Sequence, residues 1–126
     1  MMNNEAEFRL TKAVISLIRL QPFYGVLAMR LDRVADANLR FKTLATDGEK
    51  LYYDPGWVMA QSPDVLESGV AHEVVHCALQ HMYRRGARNP TKWNQAIDYA
   101  TNWMLHESGF TIPGGDISFS GTFRLN

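Results

Sequence analysis

The chain has 126 residues, enough for one domain with a single modest core, and 46% of them are apolar and 21% charged. This balance is typical of a globular protein and carries no signal of disorder. The formal net charge is zero, so composition gives no support to a nucleic-acid-binding role.

The sequence carries no feature of secretion or membrane insertion. Its one cysteine, Cys77, excludes an intramolecular disulfide. The N-terminus lacks a basic segment followed by a small-residue cleavage site. The longest apolar segment, residues 13–20, is interrupted by Arg19 and is too short to span a bilayer. We therefore expect a cytoplasmic protein that does not bind membranes.

A helix is predicted over residues 5–20. Apolar residues recur there at helical spacing, at Leu10, Val14, Leu17 and Ile18. Pro22 follows and helps to end the helix.

A small antiparallel sheet is predicted next. An imperfect alternation of apolar residues predicts a strand within residues 24–36. Asp47-Gly48 separates two strand-like runs and favours a type I′ turn in a two-residue hairpin. Residues 57–60 are predicted to add further extended chain.

Two helices are predicted in the second half. Ser62-Pro63 is typical of a helix N-cap followed by a first-turn proline, and this helix should continue to about Arg85. Asn89-Pro90 is a similar start for a helix that should end at about Ser108.

The order of helix, small sheet, helix and helix predicts one α+β domain over residues 1–126. The segment 110–126 shows no strong periodicity. Its shortness leaves open whether the chain is a small natural protein or a piece of a longer one.

The second predicted helix carries the motif H-E-x-x-H at residues 72–76. Residues four apart lie on one helix face, so His72 and His76 can reach one Zn²⁺ ion. Glu73 lies beside the metal, where it can take a proton from a metal-activated water. In helical projection both histidines lie opposite an apolar arc. The alternative is an accidental pair of histidines on a solvated face.

Two further residues of this helix are interpreted as parts of the core. His81 lies half a circle from His72 if the helix is unbroken, so it should point into the apolar arc. No glycine between the two residues ends the helix, as one does in metzincins. A buried histidine is therefore favoured, with a metal ligand as the alternative. Cys77 is interpreted as a small buried apolar residue.

The last helix offers candidates for a third metal ligand. Asp98 and Asn102 lie one turn apart. If the two helices run antiparallel, Asp98 could bind the metal and Asn102 could orient a ligand imidazole. His106 is a weaker candidate, with a surface histidine as the alternative. The apolar stripe of this helix is predicted at Trp93, Ile97, Ala100 and Met104.

Three runs of the sequence resemble a known family: LATDGEKLYYDP, AHEVVHCALQHMYRRG and WNQAIDYATNWML. They are similar to the metallopeptidase domain of bacterial proteins that often carry a von Willebrand factor A-like domain after it. The resemblance covers roughly residues 40–106. The residues that match the family pattern are Asp47, Gly48, His72, Glu73, His76, His81, Arg84, Trp93, Asn94, Ala96, Asp98 and Asn102.

The resemblance implies a zincin-like fold and zinc-dependent hydrolysis of peptide or protein substrates. His72, His76 and Asp98 would hold zinc, and Glu73 would be the general base. The layout also resembles that of gluzincins, which have glutamate where Asp98 stands. Aspartate is shorter by one methylene group. The resemblance therefore implies that the two helices lie closer together than in gluzincins, or that a water bridges Asp98 and the metal. A strand at 51–53 or 57–60 could bind an extended peptide at its edge. A partner protein or a further C-terminal domain is also expected.

Two alternatives to a peptidase stay open. The domain could be a zinc-stabilised binding or regulatory module without turnover. It could also be a zinc-independent structural domain.

Overall fold

The computed structural model describes residues 2–37, 43–79 and 86–110. These ranges hold five helices and a three-stranded sheet. In chain order the elements are α1 (Met2–Leu20), α2 (Pro22–Met29), β1 (Asp32–Ala35), β2 (Leu44–Thr46), β3 (Lys50–Tyr53), α3 (Pro55–Ala60), α4 (Pro63–Ala78) and α5 (Pro90–Glu107). The predicted α+β class is confirmed. No helix in these ranges is long and apolar enough to cross a membrane.

The sheet is mixed, where an antiparallel sheet was predicted. Its strand order is β1-β3-β2, with β2 antiparallel and β1 parallel to β3. Because β3 has a neighbour on each side, residues 51–53 offer no free edge for a peptide strand. Residues 57–60 lie in α3 and offer none either, so both predicted peptide-binding edges are wrong.

Two segments predicted as extended chain are helical instead. Residues 24–29 belong to α2 and residues 57–60 to α3. Pro22 and Pro55 each stand at the start of a helix, where a fixed φ suits the helix and the missing N–H costs little. Asp54 also caps α3 by accepting from the backbone N–H three residues on. The strand predicted within residues 24–36 exists only at 32–35. Pro22, which was predicted to end α1, thus also begins α2.

The antiparallel hairpin around Asp47-Gly48 is confirmed, but its loop is longer than predicted. The last cross-strand pair is Thr46 with Leu51, so the predicted two-residue turn is wrong. The Asp47 carboxylate accepts from the backbone N–H groups two and three residues on, both at 2.9 Å. Gly48 has a φ of 98°, a conformation that glycine adopts without strain.

The hydrophobic core lies between α1, α4 and the sheet, and α2 and α3 close it. The predicted face of α1 is buried, with Leu10 at 0% and Leu17 at 1% exposure. From α4, Leu66, Val70 and Val74 enter the same core. Because α4 also packs against α5 on another side, it is the central helix of the described fold.

Helix α4 ends at Ala78, earlier than the predicted end near Arg85. Its C-cap, Leu79, leaves helical geometry with φ −93° and ψ 0°. His81 lies outside the described residues. The unbroken helix on which its inward orientation was predicted does not reach it, so that geometric argument no longer applies.

Helices α1 and α2 pack unusually closely at Gly25. A Cβ atom at this position would lie 2.3 Å from the backbone nitrogen of Ile18 and 2.5 Å from its Cα. Backbone atoms cannot move aside as a flexible side chain can. The glycine is therefore needed for the close approach of the two helices.

Gly25→Ala should destabilise the protein by about 1–3 kcal/mol or more, because the added methyl group forces α1 and α2 apart. Gly56→Ala is the matched control. Gly56 lies exposed in α3, and a Cβ there meets only the Asp54 carboxylate at 3.6 Å. The control should be neutral or stabilise by about 0.5–1 kcal/mol. Urea denaturation checks both, and equal stability of the two variants would contradict the close packing.

The hairpin loop should make stability depend on pH. Backbone N–H groups of Glu49 and Lys50, and then the Tyr52 hydroxyl, hold the pKa of Asp47 below its ordinary value of 3.8. A carboxylate whose pKa is lower in the folded than in the unfolded state stabilises the fold at pH values above its unfolded-state pKa. This contribution disappears as pH falls through the folded pKa.

Asp47→Asn should therefore cost about 1 kcal/mol or less at neutral pH, because the loop is exposed. The difference from wild type should vanish in acid. Tyr52→Phe removes one donor and should show a smaller loss with the same trend. Urea denaturation at several pH values measures both, and a difference that persists in acid would contradict the assignment.

Candidate metal centre

Helix α4 brings its two motif histidines together. His72 and His76 are four residues apart, and their Nε2 atoms lie 2.9 Å from each other. Both side chains are fully buried. The predicted pairing on one face is therefore present, although this face is covered rather than open to solvent.

Asp98 of α5 completes a cluster with these histidines. Its Oδ1 atom lies 3.1 Å from Nε2 of His72 and 3.2 Å from Nε2 of His76. Within the described ranges, these are the three residues grouped closely enough to hold a metal ion. The shorter aspartate arm reaches both rings directly, because α5 sits close enough to α4.

The contacts fix the direction of the two helices. His72 contacts both Asn102 and Asp98, whereas His76, further along α4, contacts Asp98. From His72 to His76 along α4, the contacts on α5 move back from Asn102 to Asp98. The predicted antiparallel arrangement is thus present.

The buried face of α5 differs from the predicted apolar stripe. Of the stripe, Ile97 is buried, whereas Ala100 and Met104 are exposed and Trp93 is half-buried. The face that packs inward consists of Ile97, Asp98, Thr101, Asn102 and Leu105. Polar residues occupy it because the imidazoles of α4 give Asp98 and Asn102 partners that water would otherwise supply.

Asn102 sets the proton position on His72. Its side-chain oxygen lies 2.9 Å from Nδ1 of His72. An amide oxygen only accepts, so Nδ1 carries the hydrogen, and in the neutral ring Nε2 keeps a free lone pair. That lone pair points to the cluster with Asp98. Asn102 therefore holds His72 in the tautomer that binds a metal through Nε2.

Glu73 lies beside the cluster and is not one of its three members. It is fully buried, and neither carboxylate oxygen has a hydrogen-bond partner in the described part of the chain. Burial raises the pKa of Glu73 well above its ordinary value, and the charge of Asp98 raises it further. This environment favours a carboxyl group that holds a proton, a property suited to acid–base chemistry.

Asp98 has the opposite tendency although it too is buried. Burial alone raises the pKa of Asp98, but hydrogen bonds and positive charge from the protonated rings of His72 and His76 outweigh burial and leave the pKa below its ordinary value. One carboxyl group of the site therefore favours the ionised form that binds a cation. The other, Glu73, favours the protonated form.

The weaker candidates do not join this cluster. His106 is exposed, stacks on Trp103 with ring centroids 6.1 Å apart and lies 3.7 Å from Glu107. His81 and Arg84 lie outside the described residues. Cys77 is half-buried against the core, with its sulfur 3.2 Å from the Thr46 hydroxyl, and burial raises its pKa.

One buried polar residue of the site was not predicted. Thr101 is fully buried beside Asn102, and its hydroxyl has no partner within the described ranges. A threonine in a helix gives no sequence signal of this kind. Only its spacing of three residues from Asp98 places it on the same face.

Two imidazoles from one helix and a carboxylate from the next, with a buried glutamate beside them, are a set of side chains that could hold a divalent metal ion. Residues 5–124 match the family described as "Putative metallopeptidase domain", and the chain belongs to this family. Metallopeptidases use a divalent metal ion, and His72, His76 and Asp98 could hold one.

A protein of Thermotoga maritima, described as "Uncharacterized protein", is similar to this chain. It is 28% identical over 115 residues, which cover 86% of this chain and 29% of the relative. The chain therefore spans less than a third of the length of that relative. No solved structure shows significant similarity to the chain.

Three substitutions should affect divalent-metal affinity in a graded order. Asp98→Ala removes a ligand atom and should reduce affinity most. Asn102→Ala leaves the ligands in place but frees the ring of His72, and should reduce affinity about 10- to 100-fold. His106→Ala, the control, should leave it unchanged. Competition against a chromophoric chelator measures all three, and wild-type affinity in Asp98→Ala would exclude that residue as a ligand.

Proposed function

We propose that this domain binds one zinc ion through His72, His76 and Asp98 and hydrolyses peptide bonds with Glu73 as general base. The observation that carries the proposal is the triangle of three potential ligand atoms, each within 3.2 Å of the other two. Convergence of two imidazole nitrogens and a carboxylate oxygen from two helices suits a metal.

The size of this triangle agrees with zinc. With metal–ligand distances of about 2.0–2.1 Å, two ligand atoms of a tetrahedral site lie about 3.4 Å apart. The observed separations of 2.9–3.2 Å are within a few tenths of an ångström of this value. Three protein ligands also leave one coordination position for a reactant, as in catalytic zinc sites.

The remaining residues have roles that follow from their chemistry. Zinc, when bound, makes water acidic and polarises a carbonyl group. Glu73, in its ionised form, takes the proton from the attacking water on a carboxylate oxygen and passes it to the leaving nitrogen. Asn102 keeps Nδ1 of His72 protonated and the ring in place. The surrounding apolar side chains of α4 exclude bulk water.

A second function is supported by the burial of the site. His72, Glu73 and His76 are fully buried, and Asp98 is 2% exposed. A peptide cannot reach a site closed to this degree. A zinc-stabilised binding or regulatory module without turnover fits this conformation, whereas a peptidase needs an opening motion that admits its substrate.

Glu73→Gln separates the two functions. Glutamine has nearly the same shape but cannot accept the proton, so zinc content should stay at one ion per chain while peptide hydrolysis falls by about 100-fold or more. Glu67→Gln is the matched control, since Glu67 lies on the same helix but outside the cluster. It should keep both properties.

Zinc analysis and peptide-library cleavage give the result. Loss of turnover with zinc retained supports the peptidase. Zinc in wild type and Glu73→Gln with no cleavage by either supports the binding module. Turnover by Glu73→Gln at the wild-type rate would exclude Glu73 as the base, and absence of zinc from wild type would overturn both functions.

A further inference from the structure

Helix α1 carries a row of cations on the side that adjoins α4. Arg9, Lys12 and Arg19, which we call the basic row, lie together with Ser16 within about a quarter of the helix circumference. Lys12 and Arg19 are exposed, and Arg9 is half-buried. Since the net charge of the whole chain is zero, the basic row is a local concentration of positive charge.

Two hollows follow the basic row. The first has a volume of about 260 Å³ and lies between Arg9 of α1 and Leu66 of α4. The second has a volume of about 330 Å³ and lies beside Ile15 and Arg19. Lys12 lines both hollows, which we together call the α1 groove. The ten residues from Arg9 to Arg19 extend about 15 Å along the helix axis, the length of about five residues of extended chain.

The positive charge of the groove is not neutralised within the described part of the chain. Glu67 lines the first hollow and Glu5 precedes Arg9 by one turn, but among the described residues no ion pair joins either glutamate to the basic row. The Arg9 guanidinium donates to the carbonyl oxygen of Gln61, whereas its Nε atom has no partner within the same ranges. The basic row can therefore take further acceptors.

An apolar edge borders the basic row on the side away from α4. Phe8 is 62% exposed and Ile15 is 60% exposed. In helical projection both lie beyond Lys12, on the far side from Ala13 of the core. The Lys12 ammonium lies 5.5 Å from the centre of the Phe8 ring. Cations and large apolar side chains thus run side by side along the groove.

We propose that the α1 groove binds an extended segment of a partner protein in which acidic and apolar residues alternate. Alternate side chains of an extended chain point to opposite sides. Carboxylates on one side would accept from the basic row, and apolar side chains on the other would cover Phe8 and Ile15. Leu66, at the groove, precedes His72 by six residues, about 9 Å along α4, so this surface is separate from the metal centre.

The shape and composition of the groove favour a peptide over other anions. A bilayer surface is flat and would leave both hollows empty. A nucleic-acid strand carries a charge on every nucleotide, so it would bring phosphates towards Glu67 and the apolar edge as well as towards the basic row. An alternating peptide has its charges on one side only, which matches the groove.

Fluorescence anisotropy of the full chain with three labelled peptides of about six residues tests the proposal. The first peptide alternates glutamate with leucine, the second lysine with leucine, and the third glutamate with serine. The protein should bind the first saturably, the second not at all, and the third about tenfold more weakly than the first. Absence of saturable binding of the first peptide, or equal binding of the first and second, would overturn the proposal.

Charge reversal in the basic row locates the site. Lys12→Glu with Arg19→Glu should weaken binding of the glutamate–leucine peptide about tenfold or more. Lys50→Glu with Lys92→Glu is the matched control, because these exposed lysines lie outside both hollows and the net charge changes equally. At physiological ionic strength, where exposed charges are screened beyond about 8 Å, the control should bind as wild type does. An equal loss in both double variants would contradict binding in the groove.

The last comparison tests the apolar edge and the class of partner. Ile15→Ala should weaken binding of the glutamate–leucine peptide about fivefold and leave that of the glutamate–serine peptide unchanged. Equal effects on both peptides would contradict the apolar contact. Phosphatidylglycerol vesicles and a polyuridine strand are the competing ligands. Tighter binding of either than of the peptide, with the same dependence on Lys12 and Arg19, would overturn the proposal in favour of a membrane or nucleic acid.

Discussion

The contact of His72 and His76 with Asp98 is the constraint on which the described fold depends. These side chains lie between α4 and α5, where water cannot solvate them. Buried polar groups without partners cost about 1–3 kcal/mol each, and more when charged. The two helices must therefore align so that each group meets another. This requirement fixes their antiparallel direction, and it explains why α5 turns Asp98 and Asn102 inward while Tyr99 and Trp103 stay outside.

The same constraint distributes charge within the site. Asp98 has two imidazole partners that favour its ionised form, whereas Glu73 has no hydrogen-bond partner among the described residues and is pushed towards its protonated form. A fold selected for stability alone would not bury a carboxyl group in this way. The cost is understandable if Glu73 exchanges a proton with a reactant, because a base of raised pKa is better matched to neutral pH.

The sequence predicted the features that depend on local spacing. Each of these features follows from residue spacing within one helix: the histidine pair, the N-caps at Ser62 and Asn89, and the apolar face of α1. Features that depend on other elements were missed. Apolar periodicity placed the buried stripe of α5 at Ala100 and Met104. Periodicity carries no information about neighbouring helices. It therefore could not show that the histidines of α4 stabilise the burial of a polar face instead. Pro22 was interpreted as an end of α1 when it also begins α2.

The positions of the helices around the site depend on a second constraint, the close packing of helix backbones. Gly25 lets α2 lie against α1, α2 packs on α4, and α4 carries the histidines. At the other side, the Tyr24 hydroxyl of α2 lies 3.3 Å from the Ser108 hydroxyl at the end of α5. The side chain of Gln21, the N-cap of α2, also donates to the carbonyl oxygen of Ser108 at 3.1 Å. The two helices that supply the cluster are thus both held by α2. A domain of this size has few elements with which to position a metal centre, and here one short helix contacts both ligand-bearing helices.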